Sequence, residues 1–394
     1  MTRKAVRIVH IADTHIDLTA RYLGPKEHDR RRDFLRTFNY VLEKTLELRP
    51  DIVLMSGDLY DKVNPRNPAR AWIMRAFRKI HGEGIRAYII GGNHDTPRSV
   101  EEGASPLHEL EAAGYVKFFS KISSMDADIV EIQGFQVCIS GASFNHTMPY
   151  ENDPLEVMRI PREGDINIAM LHYNYGPARV PPIWMAPTIK ETSVPKYLHY
   201  LALGHFHRHY STRVGETYVV YPGSIERRSF AEEGESKGFV YIEVSEEGVR
   251  KLDFIETKPR PLKTVEITVV KDSTNPVSNI VTAAMKYADP EAILRLKIRG
   301  RLPLDRLVRY SRDEVLRRLE NFFFYTIIDD RELEYILEKP ELEDIEMLSP
   351  LKLYEKYLTR LIREVSEEGD EKRKVAFQDA LQLGKEFLRE VGAW

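Results

Sequence analysis

Residues 51–58, Asp51-Ile52-Val53-Leu54-Met55-Ser56-Gly57-Asp58, form an apolar run that stops on a glycine and a carboxylate. Such a run reads as a buried strand opening into a loop. Upstream, Val6 to Ala12 is a second strand-like run that delivers Asp13-Thr14-His15, and Phe34 to Leu48 between the two has helical apolar spacing. Downstream, Ala69 to Ile80 reads as a helix, and Arg86 to Ile90 as a third strand ending at Gly91-Gly92-Asn93-His94-Asp95. Strand, helix, strand, helix, strand is the pattern of a parallel sheet with crossover helices. Open α/β sheets place their sites at the carboxyl ends of such strands, where these polar residues stand.

The pattern changes further along. Asp128 to Ser140 alternates as two strands around Gln133-Gly134, Ile166 to Leu171 delivers His172, and Tyr200 to Leu203 delivers Gly204-His205-Phe206-His207. Tyr218 to Tyr221 and Gly238 to Val244 add further strands. Up to about Glu256 the chain therefore reads as two sheets packed face to face with helices on the outer sides. Lys258-Pro259-Arg260-Pro261 is a stiff, helix-incompatible linker. Beyond it, Thr264 to Val270 and Ala292 to Ile298 read as strands around a helix from Ser278 to Tyr287, a smaller α/β region reaching about Ile328. The acidic stretch 329–348 is expected to be a partly helical connector. Ser349-Pro350 then caps a helix carrying Tyr354, Tyr357, Leu358, Leu361, Ile362 and Val365 on one stripe. After a break at Gly369-Asp370, Phe377, Leu381, Phe387, Leu388 and Val391 mark a second.

A chain of 394 residues has length for two or three domains and a large core. Its one cysteine, Cys138 in an apolar run, excludes an intramolecular disulfide and a cysteine-rich zinc site, and suits a reducing cytoplasm. No stretch reads as a signal peptide or a membrane span. Thirty per cent charged residues suit a thermophilic prokaryote. The net charge of −3 does not announce a nucleic-acid binder, so any such role needs local patches. From Arg295 to Arg318, nine Lys/Arg including Arg299 and Arg301 stand against three acids. Arg30, Arg31, Arg32 and Arg36 make a second cluster close to the first polar block. Either run reads as a phosphate track or as a solvated face.

The five polar blocks ask for one chemistry. A phosphodiester repels an attacking hydroxide and has a poor leaving group, which two divalent ions and a bridging carboxylate can remedy. Asp58 is the expected bridge, with Asp13, His15 and His207 on one ion and Asn93, His172 and His205 on the other. Mixed oxygen and imidazole ligands suit Mn²⁺ first, then Fe²⁺, better than an all-oxygen Mg²⁺ site. His94, beside Asn93, is expected in the cleft as a catalytic, non-ligand residue, its ring held by Asp95 or Asp61. Each block alone is mostly turn chemistry or coincidence; five in order after apolar strands are not. Of the other histidines, His10 is expected in the core. His28, His81, His108, His199 and His209 are expected at the surface, and His146 in a structural role.

These blocks resemble the calcineurin-like metallophosphoesterase superfamily. Within it, Gly57-Asp58-Leu59-Tyr60-Asp61, Gly92-Asn93-His94-Asp95, Gly204-His205-Phe206-His207 and Tyr221-Pro222-Gly223-Ser224 look most like the Mre-eleven/SbcD double-strand-break repair nucleases. The resemblance implies a four-layer α/β/β/α sandwich with a small α/β capping domain and a C-terminal helical pair. The expected division is a nuclease core at 1–256, a DNA-capping domain at 257–328, a connector at 329–348 and an ATPase-binding helix pair at 349–394. It implies a manganese-dependent exonuclease and single-strand endonuclease, working as a homodimer with a Rad-fifty/SbcC-type coiled-coil ATPase. No phosphate loop is present, so ATP chemistry would come in trans. Tyr354, Tyr357, Leu358, Leu361, Phe377, Leu381 and Phe387 would meet that partner. Trp72, Ile73, Phe77, Leu107 and Leu110 would supply a dimer surface, unless they are ordinary core. One departure stands out: some archaeal members carry a histidine three residues after the bridging aspartate, where this chain has Asp61. A small-substrate metallophosphodiesterase and a DNA-end scaffold with minor catalysis are the competing functions.

Overall fold

A computed structural model describes residues 4–181, 184–270, 274–303, 309–336 and 350–390. The four strands β1 (Val6–Ile11), β2 (Ile52–Ser56), β3 (Arg86–Ile90) and β4 (Lys117–Phe119) run parallel and neighbour one another in that order. The helices Glu27–Leu48 and Asn67–Gly82 cross between them, as the alternation in the sequence demands. A second sheet holds β5 (Asp126–Ile132), β6 (Phe135–Gly141), β7 (Ile166–His172), β10 (Tyr200–Gly204), β11 (Tyr210–Val214) and β12 (Thr217–Tyr221). Its order is β11-β12-β10-β7-β6-β5, the middle four parallel. The short pair β8 (Asn174–Tyr175) and β9 (Thr188–Ile189) stands apart. The hairpin of β13 (Gly238–Ser245) and β14 (Gly248–Glu256) returns antiparallel onto β1 and closes the first sheet's edge.

Strand periodicity divides the core. On β1 and β2, Val6, Ile8, Ile52 and Leu54 face the second sheet and meet Ile139, Ile168, Tyr200 and Ala202. The alternate residues Val9, Ile11, Val53 and Met55 face the helices and meet Phe34, Phe38, Ile73 and Phe77. Both faces of the parallel strands are thereby buried, which is why they read as continuous apolar runs. The second sheet's outer face is covered differently, by Phe144, Met148, Met158, Tyr173 and Tyr175 from loops, short 3₁₀ turns and the one-turn helix Pro154–Val157. Ile73, Phe77, Leu107 and Leu110 lie inside the core, and half-buried Trp72 packs edge-on against Phe38. Core packing accounts for Ile73, Phe77, Leu107 and Leu110, while Trp72 keeps part of its surface exposed.

The smaller α/β region follows the expected order. β15 (Leu262–Val269) pairs in parallel with β16 (Asp289–Pro303), and β17 (Phe323–Ile336) lies on the other side of β16. The helices Pro276–Met285 and Arg312–Leu319 pack together beside this sheet. Strand β17 runs on to Ile336, so the first part of the expected helical connector is strand: Leu333 is buried while its acidic neighbours face out. The rest of that connector, 337–349, lies outside the described residues, as do Arg306 and Val391.

The described residues divide into two compact units, one within Met1–Gly300 and Arg309–Glu334, the other within Arg301–Val308 and Tyr335–Trp394. The expected border at 256–257 thus falls inside one unit. Within the segment expected as a linker, Arg260 is buried and ion-paired: it reaches Asp33 at 2.5 and 2.7 Å and lies over the Phe324 ring. Arg30, also buried, bonds Asp33 and Glu226 at 3.1 Å each, and Thr37 holds the second oxygen of Glu226. Two cations and two anions pair with one another there, with only Arg30 Nε among their buried atoms left without a partner, and such pairing is what lets these charges be buried.

In the second unit, the helices Pro350–Glu368 and Glu371–Glu390 form an antiparallel pair around a turn at Gly369, whose φ is +76°. Tyr354 donates to the Ala380 carbonyl at 2.6 Å, and a Cβ on Gly384 would strike its ring, so that glycine lets the helices close. Among the described residues no helix is long and apolar enough to cross a membrane.

Candidate metal centre

The five polar blocks meet at the carboxyl ends of β1, β2, β3, β7 and β10. The first two loops zip together through backbone bonds from Asp13 N to the Gly57 carbonyl and from His15 N to the Asp58 carbonyl. Asp13, His15, Asp58 and His205 all take left-handed backbone, with φ of 51°, 44°, 51° and 97°. Side-chain-bearing residues adopt that region at a cost of roughly 1–2 kcal/mol each, so their clustering marks a place where the turn of the chain serves the side chains. Gly57 (φ +90°) and Gly204 have no alternative: a Cβ would come within 2.3 Å of His172 Nδ1 at the first and 1.9 Å of the Ser56 carbonyl at the second.

The donor atoms converge in two groups that share Asp58. In one, His15 Nε2 lies 2.9 Å from His207 Nε2 and 3.7 Å from Asp58 Oδ2, with Asp13 in the same cluster. In the other, Asn93 Oδ1 lies 3.2 Å from His172 Nε2 and 3.0 Å from His205 Nδ1, while His172 Nε2 is 3.4 Å from Asp58 Oδ2. Outer bonds fix which ring nitrogens face inward. His172 Nδ1 donates to the Ser56 carbonyl at 2.8 Å and His207 Nδ1 to Glu232 at 2.9 Å, which turns both Nε2 atoms to the centre. Glu232 is itself held by buried Lys237 at 2.8 Å.

Asn93 Oδ1 faces His172 and His205, and His15 Nε2 faces His207 Nε2, so these donor atoms point at common centres. The oxygen and imidazole donors are those that hard and borderline divalent ions take. His15 Nδ1 and His205 Nε2 are buried without a hydrogen-bond partner; the former is 3.3 Å from Asp61 Oδ1 but out of line for a bond. Burial drives the basicity of His205 down to about 3 and of His207 to about 4, keeping both neutral and able to ligate. Burial lifts Asp13 to about 7, with Asp58 adding to the effect. Burial opposes the charge on Asp58 as well, but His172 and His94 outweigh it and hold that carboxyl below its usual range. Burial lowers His172, yet Asp58 and then Asp13 prevail and raise it to about 9. Carboxylates packed this closely call for positive charge.

His94 borders the first group, one of its ring nitrogens lying within 4.8 Å of donor atoms of His15 and Asp58. Its backbone N–H donates to Asp58 Oδ1 at 2.8 Å, and its Nδ1 donates to the Asp61 carbonyl at 2.9 Å. The ring is half-buried on a cavity of about 560 Å³ lined also by Asp58, Asn93, His205, His207 and Arg228. Asp61 therefore holds the ring, through its carbonyl. Asp95 does not: its carboxylate accepts the N–H groups of Leu59, Tyr60 and Gly92, clamping the second loop to the third. Burial, then the charge of Asp58, pushes Asp95 up to about 8.

Other expectations fare unevenly. His10 is in the core, bonded to Tyr200 and Ser56 at 2.9 Å. His28, His81 and His108 are exposed, whereas His199 and His209 are half-buried, the latter stacked on Phe254. His146 bonds the Thr96 carbonyl. Arg30 is withdrawn from any phosphate by its buried ion pairs, and half-buried Arg31 pairs with Glu27. On β16, Arg295, Lys297 and Arg299 share one face by strand alternation, with exposed Arg301 next in the series. Glu266 pairs with both Lys297 and Arg299, and Arg295 lies over Phe230, beside the cavity-lining Ser229. In the helix pair, Leu358 is buried, and Tyr354, Tyr357, Leu361, Phe377 and Leu381 are half-buried. Phe387 is exposed, together with Val375 and Leu383, which the stripe reading omits. Glu232, Lys237 and Arg228 were not legible as site residues, since each sits in a segment without a strand-end pattern.

A family model described as calcineurin-like phosphoesterase matches residues 6–209. The chain is 31% identical over 245 residues to the DNA double-strand break repair protein Mre11 of Methanocaldococcus jannaschii, covering 60% of this chain and 62% of that protein. Proteins of the same name from Methanosarcina mazei and Sulfolobus acidocaldarius are each 25% identical, over 301 and 323 residues. They cover 75% and 79% of this chain, and 46% and 80% of their own lengths. The chain thus spans less than two thirds of the first two, at 62% and 46%.

Proposed function

The chain belongs to the calcineurin-like phosphoesterases, and from that premise we propose that it is a manganese-dependent nuclease that processes DNA double-strand breaks. The observation that carries this reading is the convergence of seven ligand-type side chains, Asp13, His15, Asp58, Asn93, His172, His205 and His207, on two adjoining centres with His94 at their edge. In this reading Asp58 bridges two Mn²⁺, for which Fe²⁺ or Mg²⁺ are the alternatives. Asp13, His15 and His207 complete one centre, and Asn93, His172 and His205 the other. Two such ions, when bound, acidify a water and neutralise the phosphate oxygens.

The chain's own residues do the rest. Glu232 and Ser56 fix two imidazoles in the ligating tautomer. His94 presents Nε2 to the cavity while Nδ1 stays bonded to Asp61, a pose from which it meets the leaving oxygen. The cavity opens to solvent and is rimmed by Tyr150, Met185 and Arg98, which suits a chain-like substrate. The cationic face of β16 with Arg295, Lys297 and Arg299 starts beside that cavity and offers a phosphate track. Exonuclease action on ends and endonuclease action on single strands are both part of the proposal.

Two partners complete it. The exposed Val375, Leu383 and Phe387 on the last helix offer an apolar patch for the coiled-coil base of a Rad-fifty-type ATPase. A homodimer is the proposed working form, by a surface other than the core residues corrected above. The relatives named as double-strand break repair proteins support the DNA substrate.

End-labelled double- and single-stranded DNA, incubated with the protein in Mn²⁺, Mg²⁺ or a chelator beside an Asp58→Ala control, tests the reading. Manganese-dependent degradation that disappears in the variant is expected. Inert DNA together with variant-sensitive hydrolysis of a small phosphodiester would instead assign a small-substrate enzyme.

A further inference from the structure

One guanidinium in the cavity is held by a carboxylate and an imidazole at once. Arg228 Nη2 donates to Asp61 Oδ1 at 3.0 Å, and Nη1 lies 3.4 Å from His94 Nε2. Because His94 Nδ1 donates to the Asp61 carbonyl, Nε2 turns its lone pair to Arg228. Asp61 thereby orients both groups, the ring through its carbonyl and the guanidinium through its carboxylate. The Arg228 side chain is 26% exposed and lines the cavity with Asp58, Asn93, His205 and His207. Its backbone is anchored too, by the bond from its N–H to Glu232. An arginine has five N–H donors in a planar fork that matches a phosphate edge. Asp61 and His94 engage only part of that fork. Arg98 lines the same cavity but is exposed, and its bond to Glu102 is made by the backbone N–H rather than the guanidinium.

We propose that Arg228 binds a non-bridging oxygen of the scissile phosphate and that Asp61 is its positioning residue; this rests on the phosphodiesterase reading above. The N–H groups of the fork that Asp61 and His94 leave unused can donate to a phosphate oxygen while Nη2 stays bonded to Asp61. A lysine could supply charge at this place but not the fork that bridges Asp61 and the phosphate.

The test uses the full chain in Mn²⁺ with bis(4-nitrophenyl) phosphate as substrate and inorganic phosphate as competing ligand. The variants are Arg228→Gln, Arg228→Lys, Asp61→Asn and the Arg228→Gln/Asp61→Asn double, each checked for bound metal by elemental analysis. Arg228→Gln should lower kcat/KM by about 100-fold and weaken phosphate binding by about tenfold or more, with the metal content unchanged. Arg228→Lys should recover part of both. Asp61→Asn should weaken phosphate binding less, and the double variant should be no worse than Arg228→Gln alone, since the anchor acts through the arginine. Wild-type phosphate affinity in Arg228→Gln, or loss of its metal, overturns the assignment; additive losses overturn the positioning role of Asp61. If the wild type hydrolyses neither this ester nor DNA, the enclosing function fails, while phosphate affinity measured by calorimetry on the metal-loaded wild type and Arg228→Gln still decides the role of Arg228.

Discussion

The Asp95 carboxylate holds the backbone N–H of Leu59 at 2.8 Å across 36 residues of sequence. The same group takes Tyr60 and Gly92, so one buried side chain sets the spacing between the loop that carries Asp58 and the loop that carries Asn93. Asp95→Ala frees both loops and leaves three buried N–H groups unpaired. Manganese affinity should fall by about 10–100-fold, as when outer partners of metal ligands are lost. Titration of the metal-free protein with Mn²⁺ measures it, and an unchanged affinity would remove the clamp from the account.

His94 touches the carboxylate of Asp58 only through its backbone N–H, and its ring faces the cavity. His94→Ser should therefore keep the full metal content and lose most cleavage, by about 10²–10⁴-fold for a general acid. Elemental analysis separates the two roles: metal lost together with activity would make His94 a ligand.

Arg260 pairs with Asp33 through two nitrogens, beside Arg30 and Glu226. Arg260→Ala strands Asp33 in a buried network and should cost about 3–5 kcal/mol of stability. Denaturant unfolding monitored by fluorescence gives the figure. A loss below 1 kcal/mol would show that the network is not what ties the smaller sheet to the first.

His10 supplies a pH dependence of stability. Burial holds its ring neutral down to about 3, against 6.5 for the ordinary group. The unfolded chain binds the extra proton between those values, so stability rises with pH there and is lost as pH falls below 6.5. The slope is at most about 1.4 kcal/mol per pH unit. His10→Gln, which keeps a bond to Ser56 or Tyr200, should flatten the difference in thermal midpoint between pH 7 and pH 5; an equal slope in both proteins would exclude His10 as its source.

Removing Pro350 to Trp394 deletes the helix pair with its exposed Val375, Leu383 and Phe387. The shortened protein should lose the coiled-coil ATPase in pull-down while keeping basal manganese-dependent nuclease activity. Co-purification of the two in spite of the deletion would place the docking surface elsewhere.

The strands, the crossover helices and the seven candidate ligands were all legible in order, because each ligand follows directly on an apolar run and strand ends are local events. Asp58 and His172 could be read this way without knowing what lies opposite them. The basic run at Arg295 to Arg299 was legible as charge, and strand alternation on β16 explains why it lies on one face. Arg30 was misleading for a physical reason: a cluster of arginines looks the same whether it faces solvent or, as here, Asp33 and Glu226 in the interior. Residues 329–336 were misread because their charges suggested a connector, while Leu333 anchors them as strand.

Local sequence thus determined the parallel sheet, the glycines at its loop tips and the identity of the metal-type donors, since backbone propensity and side-chain chemistry are properties of neighbouring residues. Tertiary structure alone decided that Glu232 orients His207, that Asp95 joins two loops, and that Arg228 meets Asp61 167 residues away in the chain. Those contacts depend on where two sheets and their loops come to rest in space, and no short-range pattern encodes a distance of 3 Å between residues so far apart in sequence.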